Sequence, residues 1–168
     1  NLAKKLGFEF DEENVAAAIR GYLKNTSGLK DNVFYFEEDM SGYGWILPCS
    51  ENTLNVGFGI HNSSNSLQYL FNGFLEEKVR VFSHRLDFTE KPKGASLRIG
   101  LKKKDLCRDR VVLIGENIDC VYDLTGDSIG PAMESGIIAG EVIAQSKPPY
   151  DVQQLKEYES MVKGKIGK

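Results

Sequence analysis

The most constraining stretch of this chain is Val111-Val112-Leu113-Ile114-Gly115-Glu116, with Thr125-Gly126-Asp127-Ser128-Ile129 and a small-residue helix shortly after it. A short all-apolar run that ends in glycine and an acid reads as a buried parallel strand delivering a carboxylate at its C-terminal edge. The Gly-rich turn then opens a helix from Ser128 to Ala144, which aims backbone N–H groups and its positive dipole end at the same edge. Strand end, acid and helix start together read as a cradle for a nucleotide or a flavin.

Bulk properties narrow the function classes. A length of 168 residues allows one good core with a second small lobe. A net charge of −3 gives no electrostatic case for nucleic acid. The one basic run, Lys102-Lys103-Lys104, reads as a solvated turn. No apolar stretch approaches the roughly 20 residues of a membrane span, and no signal peptide is visible. Cys49, Cys107 and Cys120 are odd in number and show no CxxC pairing, which suits a reducing, cytoplasmic setting. All three read as small buried hydrophobes. His61 and His84 have no i, i+4 relation, so neither a zinc site nor a Ser-His-Asp arrangement is visible. The first residues, Asn1-Leu2-Ala3-Lys4-Lys5, lack Met and read as the middle of an element, as in a fragment.

Along the chain, Leu2 to Leu6 reads as a short helix stopped by Gly7. Asn14 to Lys24 is ambiguous: Ala16-Ala17-Ala18 favours helix, whereas Ile19, Tyr22 and the Asn25-Thr26-Ser27-Gly28 turn suit a strand. Val33–Phe36, Tyr43–Cys49 and Thr53–Ile60, separated by short polar breaks, read as an antiparallel meander. Gly57 and Gly59 alternate with Val56, Phe58 and Ile60, which marks a bulge or a close approach to the backbone. Ser66 to Phe82 reads as a helix with Leu67, Leu70, Phe71, Phe74, Leu75 and Val79 on one face and Ser64-Asn65-Ser66 as caps. Arg85 to Ile99 holds one or two strands broken by Pro92 and Gly94. On the helix from Ser128, residues Ile129, Ala132, Met133, Gly136, Ile137, Gly140 and Ile143 share a face suited to tight packing on a sheet. Pro148-Pro149 ends that helix, and Tyr150 to Val162 forms a surface helix.

Taken in order, Gly42-Tyr43-Gly44-Trp45-Ile46-Leu47-Pro48, Asn55-Val56-Gly57-Phe58-Gly59, Gly115-Glu116 and Thr125-Gly126-Asp127-Ser128-Ile129 resemble the geranylgeranyl reductases. These are FAD-dependent oxidoreductases with a p-hydroxybenzoate hydroxylase-like fold. In them YxWxFP precedes an NVGxG strand, and GDAAG, PxTGEGI and an AMESG helix follow. Ala132-Met133-Glu134-Ser135-Gly136 matches the last of these letter for letter, and Asn1 to Phe8 resembles the stretch after the family's second FAD motif. The chain departs from the pattern in two places. The N-terminal GxGxxG segment, which binds the ADP half of FAD, is absent, so FAD binding by the chain alone is expected to be weak or nil. Gly115-Glu116-Asn117-Ile118-Asp119 replaces Gly-Asp-Ala-Ala-Gly, while Asp123 and Ser128 replace the family's proline and second turn glycine. Glu116 keeps the ribityl-binding charge but displaces it by about 1.5 Å, one single-bond length. Asp119, Asp123 and Asp127 would repel a phosphate, and Ser128 can still cap the helix.

The resemblance implies an α+β chain. Residues 9–105 would form an antiparallel-sheet substrate domain, and residues 106–168, with 1–8, the C-terminal strand–helix part of a Rossmann-like FAD-binding domain. Tyr43, Trp45 and Pro48 would line an apolar tunnel for a prenyl chain. Gly115 and Glu116 would meet the ribityl chain. Thr125, Gly126, Asp127, Ser128 and Ile129 would present N–H groups to the flavin. No catalytic side chain and no metal are implied. The reaction would be reduction of isoprenoid carbon–carbon double bonds, with transient contact at a bilayer surface and the missing N-terminal FAD-binding segment as a partner. Two alternatives stay open: a flavin-free lipid- or partner-binding relative, and an FAD-dependent monooxygenase or halogenase. The Tyr-x-Trp-x-x-Pro motif favours the reductase branch over the latter.

Overall fold

The computed structural model describes residues 2–9, 14–36, 42–61, 66–101, 105–122 and 125–167. Asn1, Ser41, Ser64, Asn65, Lys102-Lys103-Lys104 and Asp123, all named above, lie outside them. Contacts divide the chain into two units, Val15–Ser96 and Asn1–Asn14 with Leu97–Lys168.

The Val15–Ser96 unit is built on a sheet. Its strands are β1 (Val15–Lys24), β2 (Val33–Phe36), β3 (Gly42–Ser50), β4 (Thr53–His61) and β5 (Lys93–Arg98), in the order β2-β3-β4-β1-β5. The expected meander is present: β2 pairs antiparallel with β3, and β3 with β4. The ambiguous stretch from Asn14 is strand. Ile19, Gly21 and Leu23 are buried at alternate positions, a period of two that overrides the helical preference of the alanines. Gly21 is required there because a Cβ would stand 2.5 Å from the Phe88 ring. Gly94 lies inside β5 and does not break it.

The first long helix, α2 (Leu67–Phe74), covers one sheet face. Ile19, Leu23, Ile46, Leu54, Val56, Phe58 and Ile60 form a single core with Phe71, Phe74, Leu75 and Val79. Ser66 caps α2 by accepting the Tyr69 N–H at 3.2 Å. The expected continuation to Phe82 is shortened. A π-helical turn over Leu75–Val79 follows α2, and Ser83, fully buried, takes the chain back to the sheet with its hydroxyl 2.9 Å from the Lys24 carbonyl.

The other unit comprises a short helix at its start, α1 (Leu2–Lys5), the hairpin of β6 (Cys107–Arg108) and β7 (Val111–Val112), and the helices α3 (Ile129–Gln145) and α4 (Val152–Lys165). Gly7, at φ +79°, stops α1 as expected. The core gathers Phe8, Leu106, Leu113, Ile118, Ile138, Val142, Leu155, Tyr158 and Val162. Arg108 clamps the N-terminal turn by donating to the Leu6 and Gly7 carbonyls while its guanidinium lies 4.6 Å from the Phe8 ring centroid.

Two of the three cysteines are buried as expected, but Cys49 is exposed on β3. Burial, and after it the adjacent Glu159 carboxylate, together push the Cys107 thiol up to about 12. The Cys120 thiol is also raised, chiefly by burial. Both therefore stay protonated at pH 8, and only thiolate reacts rapidly. Brief iodoacetamide treatment of the native chain at pH 8, read by peptide mass spectrometry, should label Cys49 and spare Cys107 and Cys120.

Candidate functional site

The strand expected at Val111 to Gly115 is not parallel. Val111 and Val112 pair antiparallel with Arg108 and Cys107. A parallel pair needs a crossover, whereas the two-residue Asp109-Arg110 turn can only close a hairpin. Beyond it Leu113 is buried and Ile114 extended, and the chain enters a single 3-10 turn, Gly115–Ile118. Three contacts fix this entry. The buried Tyr158 hydroxyl donates to the Leu113 carbonyl at 2.6 Å, the Gly115 N–H donates to Ser135 Oγ at 2.9 Å, and Ser135 Oγ donates to the Ala132 carbonyl at 2.8 Å. Gly115 itself sits at φ +61°. Ser135, a letter of the matched helix motif, thus holds the glycine, and the Ala132 carbonyl holds Ser135. Glu116 is exposed at the outer end of the turn.

The second segment, Thr125 to Ile129, is largely self-satisfied. The Gly126 N–H donates to the Tyr122 carbonyl, the Asp127 N–H to Thr125 Oγ1 and the Ile129 N–H to Asp127 Oδ1. Ser128 does not cap α3, contrary to expectation. At φ −127° and ψ −10° it lacks the extended backbone of a cap, and its side chain makes no capping bond. Asp127 takes that role.

The face of α3 expected to pack is the exposed one. Ile129, Met133 and Ile137 are 73%, 65% and 54% exposed, and nothing stands within 4 Å of a Cβ built on Gly136 or Gly140. The helix buries Pro131, Ser135, Ile138, Ala139 and Val142 instead. Apolar residues lie on both sides of α3, and periodicity does not choose between two such stripes. Leu155, Tyr158 and Val162 of α4 meet the second.

On the sheet, register assigns the face opposite α2. Phe34, Trp45, Gly57 and Arg20 form one cross-strand row, Phe36, Tyr43, Gly59 and Ala18 the next, and His61 and Ala16 a third. Tyr43 lies at the centre of the aromatic side, 5.4 Å from Phe36, 5.7 Å from Trp45 and 6.1 Å from Phe34 between ring centroids. Burial raises its phenol. The Trp45 indole N–H donates to Asn55 Oδ1 at 3.1 Å, and its ring lies on Gly57, where a Cβ would stand 2.1 Å from Cζ2. This is the close approach that glycine at 57 marks, with no bulge. A Cβ on Gly59 would meet nothing nearer than 3.8 Å, so beyond the Trp45 ring Gly59 and Ala18 floor a low, half-buried strip of the sheet, a shallow trough between larger side chains. Tyr43 and Trp45 therefore share a face. Pro48, paired with the buried Leu54, falls on the other, core-facing side of β3. Nothing in the sequence marks His61 as a site residue, since a lone histidine ending an apolar run carries no distinguishing pattern.

No group of three or more His, Cys, Asp or Glu with metal-binding geometry occurs among the described residues. None of the described helices is long and apolar enough to cross a membrane.

No family model matches the chain. A digeranylgeranylglycerophospholipid reductase of Methanothermobacter thermautotrophicus is 37% identical over the whole of this chain and 44% of its own length. Another, from Methanosphaera stadtmanae, is 31% identical over 87% of this chain and 36% of its own length. The chain belongs to the geranylgeranyl reductase family. It spans well under half the length of these family relatives. A solved geranylgeranyl bacteriochlorophyll reductase-like protein of Thermoplasma acidophilum superposes with a TM-score of 0.79 at 20% identity, covering 95% of this chain and 41% of that one. The family's fold extends further: a flavin-dependent brominase superposes at a TM-score of 0.64, with 15% identity over 90% of this chain and 41% of its own.

Proposed function

We propose that this chain carries the isoprenoid-binding surface and the C-terminal flavin contacts of a flavin-dependent reductase that saturates carbon–carbon double bonds of prenyl lipids. The sheet face is the observation that carries this reading. Phe34, Phe36, Tyr43 and Trp45 make an aromatic wall beside the low, half-buried floor of Gly59 and Ala18. A prenyl chain offers almost no polar group to recognise, so apolar contact and shape must do the work of binding. The names of the relatives support the same substrate class. In this reading the Val15–Ser96 unit serves the substrate and the other unit the cofactor. An apolar substrate brings with it transient contact at a bilayer surface.

The residues present fit FAD in part. Gly115, locked by Ser135, leaves the Glu116 carboxylate exposed as an acceptor for ribityl hydroxyls. In the turn from Thr125 to Ile129, three N–H groups are already used. The Ser128 N–H and the positive end of α3 would remain to favour negative charge on a reduced ring. Bound FAD, once reduced, would supply a hydride to one carbon of the double bond while a proton reaches the other; the chain's own residues would orient the prenyl chain and shield the reacting bond from bulk water. Expected roles for Glu116 and Ser128 follow from this reading, as do those of Tyr43 and Trp45, whereas the N–H groups of Gly126, Asp127 and Ile129 are taken within the turn. Pro48, on the other side of β3, has no part in this reading.

Trp45 is the chain's single tryptophan, so intrinsic fluorescence reports on this face. Farnesol should quench it saturably at micromolar concentration. An emission unchanged up to the solubility limit of farnesol would count against the substrate reading.

A further inference from the structure

His61 closes one end of the trough. It lies two residues beyond Gly59 on the same sheet face, opposite Ala16, and Tyr43 stands opposite Gly59. Tyr43 and His61 are therefore diagonal neighbours, with Cα atoms about 7–8 Å apart. The His61 Nε2 atom is buried and meets no hydrogen-bond partner among the described residues. Native proteins pair nearly all such groups, and an exception points to a ligand, a water or a chemical role. Arg20, on the same face, is turned to the Tyr22 hydroxyl, which it bonds and whose ring it overlies at 5.0 Å. The end of the trough that His61 closes thus holds one buried ring nitrogen and no neighbouring cation within these rows.

We propose that His61 is the polar anchor of the trough, binding through Nε2 the hydroxyl of a prenyl alcohol-type ligand whose chain lies on Gly59 and Ala18 against Tyr43 and Trp45. A hydroxyl suits this place because it both donates and accepts, and so satisfies either imidazole tautomer. A hydrocarbon end would leave Nε2 unpaired. The aromatic wall sets affinity for the chain, and His61 sets which end of the ligand enters and discriminates against ligands lacking oxygen. This rests on the isoprenoid reading of the same face.

The test compares farnesol with farnesene, which keeps the branched chain and lacks the hydroxyl, by quenching of Trp45 in the full chain. His61→Leu should raise the farnesol Kd about tenfold, the scale of one buried hydrogen bond, and leave farnesene unchanged. His61→Gln, which keeps a hydrogen-bonding end, should recover most of the loss. Imidazole nitrogen NMR of the unaltered chain gives a readout that needs no variant: the His61 Nε2 signal should move with farnesol and not with farnesene. An unmoved signal, an unchanged farnesol Kd in His61→Leu, or equal weakening of both ligands overturns the anchor while leaving the isoprenoid surface intact. Failure of both ligands to quench the unaltered chain overturns the surface and the anchor together.

Discussion

Replacing Gly57 with valine should abolish quenching by prenyl ligands and lower the stability of the chain by about 3 kcal/mol, the upper range for overpacking a filled site. A Cβ at this position would stand 2.1 Å from Trp45 Cζ2 and 2.7 Å from the Ile19 carbonyl oxygen. The indole could swing away, but the carbonyl belongs to the neighbouring strand in the β1–β4 ladder and cannot. A displaced indole also loses its bond to Asn55. It would fall across the Gly59 floor, filling the trough that the ligand needs. Urea denaturation, followed by far-UV circular dichroism, measures the first effect and Trp45 emission the second. Gly59→Ala provides the contrast. Its added methyl meets only van der Waals contacts at 3.8 Å, so stability should hold while ligand binding weakens.

The second large effect is expected at Tyr158. Its side chain is fully buried and its hydroxyl is bonded to the Leu113 carbonyl, just ahead of the turn that presents Gly115 and Glu116. Tyr158→Ala should cost about 3–5 kcal/mol, the usual range for deleting a buried aromatic. The more conservative Tyr158→Phe should cost about 1–2 kcal/mol, because it leaves the carbonyl unpaired but keeps the packing. Chemical denaturation of both variants separates the two contributions. Equal losses would mean that the hydroxyl carries the whole effect, and an unaffected Phe variant that packing does.

Much of the sheet was legible because its signals are local. Val33–Phe36, Tyr43–Cys49 and Thr53–Ile60 are rich in β-branched and aromatic residues and are separated by short polar breaks, so strand identity and antiparallel order both follow. The order of motifs likewise carried the family. Two features were not legible for one physical reason: their outcome depends on a partner that pattern alone does not name. Val111 to Gly115 is apolar enough for a buried parallel strand, yet its neighbour is the adjacent β6 across a tight turn. The α3 helix has two apolar stripes, and α4 selected the one with Ile138 and Val142. Parity separates Pro48 from the face of Tyr43 and Trp45. Along a strand it differs by three from Trp45, and an odd separation means opposite faces. The same parity, applied to β4, would have put His61 beside Gly57 and Gly59.

The most direct measurement exchanges this chain for the matching segment of the Methanothermobacter relative, loads the chimera with FAD, and follows flavin absorbance after reduction and addition of a digeranylgeranyl phospholipid. The expected result is anaerobic reoxidation of the flavin with stoichiometric loss of prenyl double bonds, slowed by Gly57→Val. A chimera that holds FAD and is reduced, yet stays reduced in the presence of the lipid, would contradict the assignment of this chain to prenyl reduction.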